Sequence, residues 1–563
     1  MDELTFAYLS MEFGIDPAIP TYSGGLGILA GDTIKAAADL NLSAVGVTLL
    51  HRQGYFRQHL DDAGNQSESD SGWYPHDFLE LLPLRVAITI AGSQVQVQVW
   101  RYLVRSEFGH SVPVYFLDTD IPENPSFARG LTGRLYGGDD RYRLCQEIVL
   151  GLGGIAMLRA LGYQRIRAYH MNEGHSALAV LALMEEQAWG RNLDSITEAD
   201  RESVRRRCVF TTHTPVLAGH DNFSLNLVRE VLGDERMDFL LTTQCCNNGA
   251  LSMTNLAVDF SGYVNGVSMR HEEISRTLFS NHNIDSVTNG VHALTWTSLP
   301  FQRLYDSYIP EWRRDNLYLR YAIKVPLDGI REAHLESKQR LFMEVERRTG
   351  VCLDPEAMTI GMARRATAYK RTDMLFSDLE RLQSIARGRP FQVVCGGKAH
   401  PRDEGGKALI RRIFEAGSLQ EVIPVVYLEE YDITLGKLLC SGVDLWLNTP
   451  QKPHEASGTS GMKAALNGVP SLSILDGWWV EGHVEDVTGW SIGDGWRSEA
   501  QPEIEIASLY DKLEKVILPL FYDCPDDFAG IMRSVIALNG SYFNAQRMVA
   551  QYLQNAYLRA GTI

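Results

Sequence analysis

Residues 455–463 read Glu-Ala-Ser-Gly-Thr-Ser-Gly-Met-Lys, a loop dense in hydroxyls and glycines that closes on a lysine. A strand-like run, VDLWLN (Val443 to Asn448), lies just upstream, and a helix-compatible run, KAALNGV, follows. Such a junction opens a helix, whose first amides have no internal partner and whose dipole adds positive potential. Gly458 and Gly461 allow close backbone approach, while Ser457, Thr459 and Ser460 offer hydroxyl donors. The chemistry that fits is the binding of a dianion such as phosphate; the competing reading is an ordinary flexible connection. Lys463, one helical step further in, suits either a point charge or a covalent anchor. The pattern alone does not choose.

Three further stretches could carry chemistry. RRATAYKR (Arg364 to Arg371) follows the strand-like MTIGMA, so its cations fan out from a strand's carboxyl end. Arg365 offers a planar fork for phosphate oxygens and Lys370 a mobile charge beside it; the alternative is a solvated basic patch. CGGKAHP (Cys395 to Pro401) repeats the strand–Gly-Gly–Lys pattern on the next strand. GGLGILAG (Gly24 to Gly31) contains G-x-G-x-x-A from Gly25, which suits an anion at a helix start or a plain tight turn. A dinucleotide is disfavoured, because irregular sequence separates the glycines from the preceding strand and no acid follows about 20 residues on. His213, in TTHTPVLAGHDNF, stands at a strand end, where it either hydrogen-bonds a polar substrate or serves only the fold. Glu173 and His175, in MNEGHSA, carry the same ambiguity. Zinc is disfavoured, since His220 lies seven residues from His213 with no acid–His–acid pattern. The GxSxG, GxxxxGK[ST] and HExxH signals are absent.

Strands and helices must present these loops. Runs such as LTFAYLS, AVGVTLL, VPVYFLD, CVFTTH, MTIGMA, FQVVCGG and IPVVYLE alternate with helical patterns along the chain. That alternation predicts an α/β fold with mostly parallel sheets and sites at the carboxyl ends of strands. With 563 residues, two domains are expected. The strand signal fades over about 300–357, which places one domain at 1–310, a helical connection at 311–357, a second domain at 358–525 and C-terminal helices at 526–563. A cleft between two such domains is a common ligand site. The net charge of −17 argues against nucleic acid or an anionic membrane as partner. No stretch of about 18 apolar residues is present to span a bilayer, and the opening MDELTFAYLSMEFG reads as a first strand, not a signal peptide. Eight scattered cysteines without a C-x-x-C pair read as reduced thiols of a cytoplasmic protein.

Taken together and in order, EFG…YSGGLGILAGD, RRATAYKR, EASGTSGMK…LNG…LDGWWVEG and NGSYFNAQRMVAQY resemble the α-glucan (glycogen/starch/maltodextrin) phosphorylase family over nearly the whole chain. The resemblance implies two Rossmann-like domains facing across a cleft, the glycosyltransferase-B architecture, with a C-terminal helical segment. It implies pyridoxal 5′-phosphate carried on a lysine, which Lys463 matches. Thr459, Ser460 and Arg364 match residues around the cofactor phosphate, and Arg365 and Lys370 match those that hold substrate phosphate, with Gly25 supplying an amide. His213 matches the histidine that hydrogen-bonds the transferred glucosyl unit. Asn289, Glu455 and Ser457, with Gly458 in the same loop, match further sugar contacts; His175, Tyr431 and Trp296 match pocket residues near cofactor and sugar. The implied reaction is reversible, retaining phosphorolysis of an α-1,4-glucan by inorganic phosphate, giving α-glucose 1-phosphate.

Two departures accompany the resemblance. Ala366, Thr367 and Ala368 stand where animal and plant members carry His and Glu between the cations, as in the shorter, unregulated branch. The segment between VYFLDTD and RLYGGDDRYRLCQE is brief and the chain opens on its first strand, so nucleotide and phosphorylation control are expected to be absent, and a homodimer is left open. Two rival functions remain. A sugar-nucleotide-dependent glucan synthase needs no lysine-bound aldehyde, against which Met462–Lys463 speaks. A non-catalytic glucan-binding scaffold is expected to have lost Lys463, Arg365 or His213, and all three are present.

Overall fold

In the computed structural model, which describes residues 4–188, 190–216, 219–417 and 422–560, the alternating runs form two large sheets, of nine and six strands among the described residues. The first sheet runs in the order Asp285–Ser286, Tyr263–Gly266, Cys208–Thr211, Ile166–Asn172, Leu4–Ser10, Ala44–Leu49, Ser111–Asp118, Ser93–Arg105, Glu80–Ile90. Its pairings are parallel except for the last two, which are antiparallel. The antiparallel edge has a local cause. Ala91 and Gly92 both take positive φ (49° and 72°), the two-residue turn whose twist suits a hairpin.

The second sheet runs Val425–Leu428, Phe391–Gly396, Met358–Ala363, Leu445–Asn448, Ser471–Ile474, Gly489–Ile492 and is parallel throughout. Its central strand Met358–Ala363 is buried at every position, which is why MTIGMA reads as a continuous apolar run and not an alternating one. In each sheet the winding reverses once between parallel neighbours: Leu4–Ser10 and Ile166–Asn172 in the first, Met358–Ala363 and Leu445–Asn448 in the second. Outside the carboxyl ends of such strands the connections diverge and leave a crevice.

Between the sheets the chain is helical, with Leu299–Tyr308, a 3₁₀ stretch Asn316–Lys324 and the long helix Leu327–Thr349. His334 and Lys338 on that long helix clasp the buried Asp444 (2.8 and 2.7 Å), fixing the helix against the start of strand Leu445–Asn448. The C-terminal helix Ala545–Tyr552 and the turn beyond it lie on the first sheet, where the Tyr552 hydroxyl meets Thr211 and Asn265 and that of Tyr557 meets His170. A hairpin (Arg57–Leu60 with Gln66–Ser69) reaches from the first half to loops of the second sheet. Gln58 Nε2 donates to the Gly397 carbonyl (2.9 Å), Gln66 Nε2 to that of Ala399 (2.9 Å), and the Gln58 amide to Glu430 (2.6 Å). Lys398, the lysine of CGGKAHP, donates to Phe56 O and Glu430 (2.9 and 2.7 Å) and is therefore engaged in this junction. Among the described residues no helix is long and apolar enough to cross a membrane.

Candidate functional site

The reversal in the second sheet brings two loop ends together. Arg364, the first residue past Met358–Ala363, donates to Thr449 Oγ1 (2.8 Å) and Asn448 Oδ1 (3.3 Å), at the end of the neighbouring strand. Its Nε is buried without a partner. Burial pulls the guanidinium down to about 10, still charged at neutral pH and short of one acceptor. Such a group favours an arriving anion. Arg364, Lys370, Glu455, Ser457, Gly458 and Ser460 line one small cavity together with Asp476 and Trp478.

Within this cavity Lys370 Nζ is ion-paired with Glu455. Burial opposes the lysine's charge, and Glu455 more than offsets it, so Lys370 titrates above its ordinary value. The Glu455 amide donates to Asp476 Oδ2 (2.9 Å) and the Gly477 amide to Oδ1 (3.0 Å). Burial, with Glu455 nearby, pushes the Asp476 carboxyl up to about 7. Gly477 has φ of +55°, and a Cβ there would come within 2.4 Å of the Ser457 carbonyl, so the close crossing needs glycine. That crossing lets the Trp478 amide bond Ser457 O (2.9 Å), tying LDGWW to the Ser-Gly loop. Ser457 Oγ is buried and unpartnered. The helix that follows is short, Ser460–Ala465; Thr459 caps it without a side-chain bond, and Ser460 Oγ accepts from Trp446 Nε1 (3.1 Å), leaving its proton free to donate.

The first sheet's crevice is built differently. Glu12, two residues past Leu4–Ser10, accepts from the amides of Ser23 (2.5 Å) and Gly24 (3.3 Å) and from the Tyr136 hydroxyl (3.0 Å). Helix Gly25–Asp39 starts there, so the Gly25 amide has no intrahelical acceptor. Gly24 packs on Arg365, with an imagined Cβ only 3.1 Å from Nη2. Arg365 thus faces the first half's helix start while Lys370 faces Glu455; the two cations expected to share an anion have different immediate neighbours.

Across the same reversal, Asn172 and Glu173 end strand Ile166–Asn172 and meet His213. The His213 ring donates from Nε2 to Asn172 Oδ1 (2.7 Å), leaving Nδ1 as an acceptor. Burial pulls this histidine down to about 4, so it is neutral at physiological pH. Asn289 has an unpartnered buried Oδ1, and its carbonyl is held by Arg547 (2.9 Å). His175 pairs through Nε2 with Asp221 (3.2 Å), and its Nδ1 is buried without a partner. Ser268 Oγ donates to Ala456 O (2.6 Å), which joins this half of the molecule to the Ser-Gly loop.

Lys463 is buried, with Nζ 3.8 Å from the centroid of the Trp296 ring. Trp296 is held in turn by its Nε1 donating to Asp32 (2.8 Å). Burial pulls the Lys463 pKa down, with Asp32 opposing. That shift favours the free amine, the form that attacks a carbonyl. Gly436 brings helix Ile433–Gly442 against both Tyr431 and Trp296: a Cβ there would meet the Tyr431 hydroxyl at 3.1 Å and the Trp296 ring at 3.4 Å. A buried amine against an aromatic ring suits an aromatic aldehyde, and the unpartnered Arg364 Nε suits a phosphate. Among the described residues no group of three or more His, Cys, Asp or Glu could hold a metal ion.

Sequence reasoning did not single out Glu12, Asp32, Asn172, Asn448, Thr449 or Asp476. Glu12, Asn172, Asn448, Thr449 and Asp476 lie within two residues of a strand's carboxyl end, and that position is the signal that could have found them. Asp32, inside helix Gly25–Asp39, had no such signal, because its importance lies in a contact with the distant Trp296.

The model of the family described as carbohydrate phosphorylase matches residues 221–489. The chain is 36% identical to a maltodextrin phosphorylase of Thermococcus litoralis, over 98% of this chain and 70% of the relative. It is 35% identical to a glycogen phosphorylase of Mycobacterium tuberculosis, over 98% of this chain and 71% of the relative. An uncharacterised protein of Methanocaldococcus jannaschii is 33% identical over 98% of this chain and 99% of its own length.

Proposed function

The chain belongs to the carbohydrate phosphorylase family, and from that premise we propose that it is an α-1,4-glucan phosphorylase, releasing α-glucose 1-phosphate from the non-reducing end of an α-1,4-glucan with inorganic phosphate. The observation that carries the reading at the level of residues is the pair of crevices at two winding reversals, one presenting His213 and the other Arg364, Lys370 and Lys463. The strand orders support two Rossmann-like domains facing across a cleft.

Arg365, the Gly25 amide and Lys370 would bind and orient substrate phosphate. Lys370 has three N–H donors, so its pairing with Glu455 leaves others for a phosphate oxygen. Oriented in this way, the phosphate protonates the glycosidic oxygen and then captures the glucosyl group on the same face, with Arg365 and Lys370 balancing its charge. General acid help of this kind typically contributes ~10²–10⁴-fold. His213, neutral and fixed by Asn172, accepts a hydroxyl of the transferred glucose at Nδ1. Asn289, Glu455, Ser457, Gly458 and His175 would surround the sugar.

Pyridoxal 5′-phosphate fits the second crevice: Lys463 would hold it, Trp296 and Tyr431 would flank its ring, and Arg364, Thr459 and Ser460 would take its phosphate. When bound, this cofactor supplies a second phosphate that exchanges a proton with the substrate phosphate. The eight free cysteines support a cytoplasmic location.

The direct test is incubation with maltodextrin and inorganic phosphate. Glucose 1-phosphate and a glucan one unit shorter are expected; their absence from a protein supplied with the cofactor would overturn the reading.

A further inference from the structure

Glu173 has no role in the chemistry above, yet its geometry is the least ordinary in the first crevice. It follows strand Ile166–Asn172 directly and is 7% exposed. Its backbone sits at φ 74°, ψ 166°, a region that is essentially glycine's own. A side chain persists there only where surrounding contacts over-determine it, and such strain clusters at functional sites.

Both contacts of Oε2 lead to the His213 loop. Glu173 Oε2 accepts from the His213 amide (2.8 Å) and from Thr214 Oγ1 (3.0 Å), while Oε1 accepts from the Gly174 amide (3.0 Å). Its own amide donates to Thr211 O (3.0 Å), and its carbonyl accepts from Ser176 Oγ (3.1 Å). Asn172, one residue earlier, takes the His213 ring. Two consecutive residues therefore grip His213, one by the imidazole and one by the backbone. Burial opposes the Glu173 charge, but His175, which titrates above its ordinary value beside Asp221, and the His213 amide favour it, and the carboxyl titrates below its ordinary range. A glycine would relieve the backbone and lose the grip. A glutamate accepts the strain and keeps it.

We propose that Glu173 is a positioning residue for glucosyl transfer, its strained carboxylate setting the His213 backbone so that the imidazole meets the transferred glucose in one orientation. The inference rests on the phosphorylase reading. A purely structural Glu173 would affect stability and leave the turnover of folded protein alone; a positioning Glu173 acts on turnover first.

Glu173→Gln keeps the shape and one acceptor while removing the charge. Its kcat is expected to fall about tenfold or more, with KM for glucan and for phosphate within about threefold and the melting temperature little changed. Glu173→Asp, which keeps the charge on a shorter arm, is expected to recover part of that kcat. Glu173→Gly, unstrained at this φ, should lose at least as much kcat as the Gln variant, and it serves in its place if the Gln protein does not fold. A Gln or Gly variant within about twofold of wild-type kcat would overturn the proposal, as would Asp and Gln variants impaired equally and in step with lost thermal stability. Wild-type protein in the same assay separates the two levels. No glucose 1-phosphate from wild type sinks the phosphorylase reading, whereas an active wild type with an unaffected Gln variant sinks the role of Glu173 alone.

Discussion

The two crevices arise from the same topology and differ in the charge of their walls. In the first, carboxylates and an amide brace the walls: Glu12 takes the amides of Ser23 and Gly24, Glu173 takes those of His213 and Gly174, and Asn172 takes the His213 ring, while Asn289 Oδ1 and His175 Nδ1 stay unpartnered. In the second, Arg364 Nε and Ser457 Oγ are buried without partners, and Lys463 Nζ rests on an aromatic face. A buried polar atom without a partner costs free energy that a ligand can return. The first crevice is thus an acid-braced mould suited to a neutral sugar, with Arg365 and the Gly25 amide at the helix start on its side, and the second a cationic one suited to a phosphate group. Topology sets where each crevice lies, and the loops set its charge.

Substitutions can break this division. The largest effect is expected for Lys463→Ala, which should abolish the near-ultraviolet absorbance of bound pyridoxal phosphate and reduce glucose 1-phosphate release to background; retained absorbance would remove Lys463 from its assigned place. Arg365→Ala should lower kcat/KM for phosphate about a hundredfold with glucan KM less affected, as measured by varying each substrate in turn. His213→Ala, on the acid-braced side, should lower kcat about tenfold to thirtyfold while glucan binding changes little. Equal effects of these two on phosphate KM would erase the contrast between the crevices.

The pH response should separate the two sides as well. Asp476 is pushed up from 3.8 to about 7, so the folded chain holds its proton more tightly than the unfolded one. Its contribution to stability is then full below about pH 4 and lost as pH rises through about 7, by an amount of the order of a few kcal/mol. The melting temperature of Asp476→Asn relative to wild type should therefore climb across that window, and a constant difference would contradict the shift. The smallest effect is expected for Ser457→Ala, since its hydroxyl has no partner in the fold: stability unchanged, with KM raised about threefold to tenfold.

Much of the scaffold was legible. Runs such as MTIGMA and FQVVCGG announced buried strands because both faces of a parallel sheet are covered, and the loss of strand signal before Met358 coincides with helix Leu327–Thr349. EASGTSGMK was recognisable as a loop opening a helix. The length of that helix was less plain: KAALNGV has helical propensity at its start, but the turn through Asn467 and Gly468 (φ 70°) ends the helix at Ala465.

What stayed hidden was pairing. Nothing in RRATAYKR says that Lys370 is claimed by Glu455, 85 residues away, or that Arg365 turns to Gly24. Nothing in CGGKAHP says that Lys398 is taken by Glu430 and Phe56. Nor does MNEGHSA reveal that Glu173 holds a glycine-like backbone to reach His213. The sequence by itself determined the elements and the family, since periodicity and local motif chemistry act over a few residues. Only the tertiary structure decided which charges are free, which are paired and which are strained, because those depend on where the carboxyl ends of non-adjacent strands meet.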